Sequence, residues 1–167
     1  SSTGADDVII TLNGETTEPI VTVGDGTEEN PYTVADVKLL NNSISSTAWV
    51  KGYIVGVPSG GNGTDLTTVD LEAPFSSSTA IVLADVAGET DLSKMIGIQL
   101  PSGSVRTGLN LVNNEALLGR GVKVFGTLAG YFSGTPGVTG TSAYVLDPTT
   151  GLFSTTKTDA LAWTSSG

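Results

Sequence analysis

The chain has no cysteine and no histidine. The first absence excludes disulfides and thiolate metal sites, although it does not fix a redox compartment. The second removes Ser-His-Asp and Cys-His catalysis and every imidazole metal site. Cations are scarce as well, with 7 Lys and Arg against 17 Asp and Glu and a formal charge of −10. That balance opposes nonspecific attachment to nucleic acid or to an anionic membrane, since both need a basic footprint. No apolar run approaches the ~18 residues of a membrane span, so no transmembrane segment is expected. Phosphate-cradling loops are missing too: G-x-x-x-x-G-K-[ST] does not occur, and Gly24 and Gly26 are not followed by the rest of a G-x-G-x-x-G. A glycosidase would need only two placed carboxylates. The acids permit such a pair without marking one. These absences read against an enzyme, and no cofactor and no metal is assigned.

What is present points to β structure. Glycine accounts for 22 of 167 residues, Ser and Thr are abundant, and only 14% of residues are charged, a composition typical of all-β chains with many turns. The length suits one domain with an appendage. The start, SSTGADD, reads as a mature or trimmed N-terminus.

The stretch WVKGYIVG, residues 49–56, reads as the first long strand. Alternation puts Trp49, Lys51, Tyr53 and Val55 on one face and Val50, Gly52, Ile54 and Gly56 on the other. Glycines within a strand mark a bulge, a bend or a close backbone approach, which a small barrel needs in order to close. Upstream, residues 8–23 read as a β-hairpin turned by Asn13-Gly14, with Pro19 placing the second arm at an edge or breaking it. Residues 24–31 form a loop. Asp25, Glu28, Glu29 and Asn30 invite a calcium reading, but their spacing is not that of an EF-hand, and a solvated loop is preferred. Thr33 and Asp36 make a capping-box pattern before a short helix with Val34 and Val37 on its buried face and Asn41-Asn42 at its end.

Residues 57–78 read as a long Gly/Ser-rich loop with room for a short strand between Asp65 and Phe75. Strands follow at 79–85, apolar on both faces, and at 95–100. The turn between them, with Asp85, Glu89, Asp91 and Lys94, is an acidic corner read as turn chemistry. Residues 104–119 carry one or two short helices stopped by Gly119, and Arg106 is expected to pair with a carboxylate. A fourth strand at 121–129 puts Val122, Val124, Gly126 and Leu128 on one face. A loop at 130–140 bears Tyr131 and Phe132, and the last barrel strand is 141–146.

The fold expected from this order is all-β with minor helices. It is a five-stranded barrel of the oligonucleotide/oligosaccharide-binding type, the OB-fold, with a helical insert between strands 3 and 4 and an N-terminal β-hairpin. A β-sandwich is the alternative, though it has no use for the insert. The expected divisions are a hairpin extension at 1–23, the barrel at 24–147 and a tail at 148–167 packing on the domain. The stretches ENPYTVA (29–35) and WVKGYIVG (49–56), followed in order by IVLAD (81–85), IQLP (98–101), Val105-Arg106, LNL (109–111) and VKVFG (122–126), resemble an uncharacterised OB-fold-like domain family of secreted proteins and lipoproteins of Bacteroidetes. The resemblance covers about residues 24–147. It implies an exported, surface-associated protein and brings no catalytic residues.

OB-folds bind on the face of strands 2 and 3 and through flanking loops, and stacking aromatics beside cations suit sugars or nucleic acid. Lys51, Tyr53, Tyr131 and Phe132 are therefore the candidate ligand-binding residues, with core or barrel-end packing as their structural alternative. Three functions are open: a module binding glycan or protein at the cell surface, an accessory domain without a ligand of its own, and a single-stranded nucleic-acid-binding domain, which the net charge disfavours. The last would need a continuous stripe of Lys51, Lys123, Arg106 and Arg120.

Overall fold

A computed structural model describes residues 10–12, 15–17, 21–41, 43, 45–59, 68–132 and 135–148, with backbone alone at 10–12, 15–17, 131 and 132. The protein is mostly β-sheet with few helices. In chain order the elements are β1 (Ile10–Leu12), β2 (Glu15–Thr17), α1 (Val34–Leu40), β3 (Thr47–Pro58), β4 (Val69–Asp70), β5 (Ala80–Ala84), β6 (Met95–Gln99), α2 (Ser104–Leu109), β7 (Gly121–Phe132) and β8 (Thr135–Leu146). Short 3-10 turns at Leu92–Lys94 and Glu115–Leu117 precede β6 and β7.

β1 and β2 pair antiparallel as a separate two-stranded sheet, with Leu12 opposite Glu15. The main sheet runs β4-β3-β5-β6-β8-β7, and a β3–β7 pairing closes it on itself. Five strands thus form a ring, with β4 added at its side. The β6–β8 contact is parallel, Gly97 to Gly137 and Ile98 to Val138, and every other pairing between these strands is antiparallel.

β3 makes the closure possible. Its first half pairs with β7 from Thr47↔Thr127 to Tyr53↔Gly121, and its second half pairs with β5 from Tyr53↔Ala84 to Gly56↔Val82. A register shift between Ile54 and Gly56 bends the strand where it changes neighbours. At Gly52 a Cβ would lie 2.9 Å from Leu83 Cβ and 3.1 Å from Ala84 O. At Gly126, beside a second register shift on β7, it would lie 2.6 Å from Val138 Cγ1 and 2.8 Å from Thr139 O. Both glycines therefore serve close strand approach, as their place within apolar strand faces suggests.

The inward face is Val50, Ile54, Ile81, Leu83, Ile96 and Ile98 with Val122, Val124, Leu128 and Val138, all buried. Val105 and Leu109 of α2 join the same core. Val82 and Ala84 point the other way, into a small outer cluster with Val55 and Met95 that Tyr53, Val69 and Leu92 partly cover. This second cluster explains why residues 79–85 are apolar on both faces.

α1 enters the barrel from the segment before β3. Tyr32 forms a parallel bridge to Val50, its N–H donating to Trp49 O and its carbonyl accepting from Lys51 N–H. The chain then turns into α1, and Val34 and Val37 drop into the core. The capping box is complete, with Thr33 Oγ1 accepting from Asp36 N–H and the Asp36 carboxylate accepting from Thr33 N–H. That carboxylate, 3% exposed, also accepts from Val23 N–H and Gly24 N–H, each at 2.8 Å. One side chain therefore both starts the helix and ties down the chain that precedes it.

Three sequence expectations need correction. The loop at 130–140 is instead the end of a long hairpin, with Gly130↔Pro136 and Phe132↔Thr135 paired. Pro136 is accommodated because the ladder shifts register between Gly130 and Phe132, where proline's missing N–H costs least. Among the described residues Arg106 pairs with no carboxylate, and its Nε donates to Leu100 O at 2.9 Å. The second arm of the N-terminal hairpin is described as strand over Glu15–Thr17, and residues 21–23 are not strand, because Val23 N–H is held by Asp36. The arm around Pro19, the Gly/Ser run at 60–67 and the tail beyond Pro148 lie outside the described residues.

Asp36→Ala leaves three backbone N–H groups without their charged acceptor and should cost about 3 kcal/mol in urea unfolding, with Asp36→Asn costing less. Gly126→Ala should cost about 1–3 kcal/mol by the same measurement, because its new Cβ meets backbone as well as a side chain.

Candidate functional site

The outward face of β3 and β7 brings together residues far apart in the chain. Antiparallel register sets Trp49 opposite Phe125 and Lys51 directly opposite Lys123. The Trp49 and Phe125 rings lie 5.5 Å apart at 47°. Lys123 Nζ sits 5.9 Å from the Trp49 ring centroid, within cation–π range, and donates to Glu28 O at 2.8 Å. The Glu28 carboxylate is 4.0 Å away, in the one ion pair among the described residues. On the far side of β7, exposed Val145 of β8 pairs with Lys123 and extends the strip. Like charges directly opposite on adjacent strands repel. Here Lys123 is drawn toward Trp49 and Glu28, which relieves Lys51.

Of the four residues singled out from sequence, Lys51 and Tyr53 lie on this strip of β3, both half-buried. Tyr53 also rests against the outer apolar cluster of Val55, Val82, Ala84 and Met95. Tyr131 and Phe132 are strand rather than loop residues, and their side chains lie outside the described atoms. Tyr131 stands eight positions beyond Lys123 along β7, roughly 25 Å of strand at ~3.3 Å per residue. Lys123 and Phe125 were not singled out as site residues. Only the cross-strand register reveals them as neighbours of Lys51 and Trp49.

The acidic candidates are occupied by backbone. Asp25 accepts from Thr27 N–H and Thr27 Oγ1, closing the 24–31 loop on itself. Those bonds, the hydroxyl's first, hold the Asp25 carboxyl below its ordinary value. Asp85 accepts with one oxygen each from Val34 N–H and Ala35 N–H, both at 2.9 Å, and so caps α1 from across the fold. Glu89 accepts from Thr90 and Asp91 N–H, and Asp91 from Ser93 N–H and Oγ. The arginines are likewise committed, since Arg120 donates to Asp147 O as Arg106 does to Leu100 O.

Between α1 and the β5–β6 connection lies a cleft of about 520 Å³. Its walls include Val34, Leu39 and Val86, with Lys38 from α1 and Lys94 from the facing turn. Burial lowers the Lys38 pKa, and the negative charge of Asp91 partly restores it. Carbon-13 NMR of the lysine ε-carbons should therefore show Lys38 titrating below the ordinary lysine value. Asp91→Asn should lower it further, because the change removes the charge that favours the ammonium. An unchanged Lys38 titration in the Asp91→Asn chain would contradict this account.

Comparison of the chain with curated proteins and with solved structures returns no match. Residues 32–147, from the Tyr32 bridge through β8 to Asp147, match the family model described as Domain of unknown function (DUF6359). The match takes in the whole closed sheet and both helices, and the chain belongs to that family.

Proposed function

We propose that the barrel is an OB-fold and that the protein is an exported, non-catalytic module binding an acidic glycan at the cell surface through the outward face of β3 and β7. Numbering the ring strands in chain order as 1 to 5, their spatial order is 1-2-3-5-4 with 4 returning to 1. The parallel contact joins strands 3 and 5, and α2 falls between strands 3 and 4. This order supports the OB-fold reading. Fold alone does not decide function, so the argument rests on the site.

The observation that carries the proposal is half-buried Lys51 beside the Trp49–Phe125 ring pair, with Lys123 across the strand already held by Glu28. Aromatic rings offer apolar platforms to sugar faces, and ammonium groups take carboxylates. The acids favour binding over catalysis, because Asp36 and Asp85 place both oxygens on backbone N–H groups, and Glu89 and Asp91 each place one oxygen on their own turn. Export is supported by the Ser/Thr/Gly-rich, acidic composition and by the sequence resemblance.

A second reading, an accessory domain without its own ligand, draws on exposed Val21 and Val23 in the segment leading to α1. Nucleic-acid binding is weaker, because Arg106 and Arg120 are held by carbonyls and do not continue the lysine pair into a stripe.

A glycan array run beside a salt-titrated oligonucleotide assay separates these readings. The expected result is retention of carboxylated glycans, with Lys51→Gln weakening them about tenfold and leaving thermal stability unchanged. Binding of oligonucleotide with a steep salt slope would move the assignment to nucleic acid. Silence in both assays would leave the accessory reading.

A further inference from the structure

The β7–β8 hairpin outruns the ring that closes the barrel. Pairing of β7 with β3 stops at Thr47↔Thr127, while pairing with β8 continues to Phe132↔Thr135. A further bond follows on the β3 side, Leu128 N–H to Ser46 O. Backbone groups alternate sides along a strand, and the register from Leu128↔Val138 to Gly130↔Pro136 is unbroken. Gly130 N–H and C=O therefore point the same way as Leu128 N–H, past the end of β3. Among the described residues no strand pairs there, and Gly130 is exposed. The opposite edge of the hairpin differs. By the same alternation the Pro136 nitrogen points away from β7, so a strand added beside β8 would find no N–H at that position. Charge is absent from the whole hairpin beyond Lys123: no residue between Lys123 and Asp147 is charged, on a chain of net charge −10.

We infer that the β7 edge at Gly130 is an interface for a second copy of this chain, paired antiparallel and edge to edge about a two-fold axis. An open edge without charge or proline invites strand addition, and native proteins usually guard theirs. Here Pro136 guards one edge of the hairpin and the other is bare. One usable edge per copy ends assembly at two, whereas two usable edges would build a fibre. Antiparallel pairing of identical strands is self-complementary, so each Gly130 donates to and accepts from its counterpart. The uncharged hairpin is also where two copies of an acidic chain meet without bringing like charges together. Glycine lets the two backbones approach closely. So short an edge makes a weak, reversible dimer rather than an obligate one.

The test is analytical ultracentrifugation of the full chain over a concentration series, with amide hydrogen exchange of Gly130 followed by NMR across the same range. The native chain should pass reversibly from monomer to dimer, and Gly130 N–H exchange should slow as the dimer fills. Gly130→Pro removes an N–H that the hairpin does not use, at an edge position without positive φ where proline is tolerated. It should weaken dimerisation about tenfold and leave the circular dichroism spectrum unchanged. If that variant does not fold, the concentration series on the native chain decides alone. A monomer at every concentration, Gly130 protection that does not vary with concentration, an equally strong dimer in Gly130→Pro, or growth beyond the dimer would each overturn the inference. None of these outcomes bears on glycan binding by Lys51 and the Trp49–Phe125 rings, which lie elsewhere on the sheet.

Discussion

A closed ring of five strands requires one strand to belong to two neighbourhoods at once, and β3 meets that requirement. Seven of its residues pair with β7 before the strand crosses to β5, and the crossing is a bulge between Ile54 and Gly56. Side chains on its inward face must shrink where strands converge, hence Gly52 against Leu83 and Val34. The constraint propagates outward. Because β5 leaves β3 at Tyr53, the free edge before it needs a partner, and Tyr32 supplies one by a parallel bridge at Val50. That bridge in turn delivers the chain to α1 at a point where Val34 fills the space beside Gly52.

Charge in the interior follows from the same arrangement. A helix starting beside a barrel leaves N–H groups that water cannot easily reach, and buried N–H groups need acceptors. Asp36 and Asp85 provide them from opposite directions, one from within the helix and one from the end of β5. Their chemistry is spent on structure. On the β3–β7 face Lys123 is likewise drawn to Glu28, and half-buried Lys51 stands opposite it.

Much of this was legible in the sequence because it is local. The Thr33–Asp36 capping box, the glycines facing inward with valines and isoleucine, and the doubly apolar 79–85 strand each follow from spacing within a few residues. What was not legible depends on pairing across long separations. Asp85 reads as part of an acidic turn, and nothing within its neighbourhood says that its carboxylate caps a helix fifty residues upstream. Lys123 and Phe125 look like ordinary strand residues until the register sets them opposite Lys51 and Trp49. The Gly/Pro/Ser content of 130–140 signals a loop, yet a register shift lets strand pairing run nearly to the tip. Bulges break the simple rule that turn-forming residues end a strand.

The acidic surface also shapes which anions can use these lysines. Over distances beyond a Debye length, ~8 Å at physiological salt, surface charges are largely screened. Within that length a ligand feels mainly the groups it touches. On the reading proposed above, a compact carboxylate arriving at Lys51 meets an ammonium beside aromatic rings, and little of the remaining charge. A polyanion such as single-stranded nucleic acid lays many phosphates along the surface, and on a chain with 17 acids and 7 bases most of them would meet repulsion. On that reading, a cation embedded in an otherwise acidic protein suits short, localised negative charge attached to sugar surface better than a polyanion. This follows from electrostatic range alone, before any particular partner is considered.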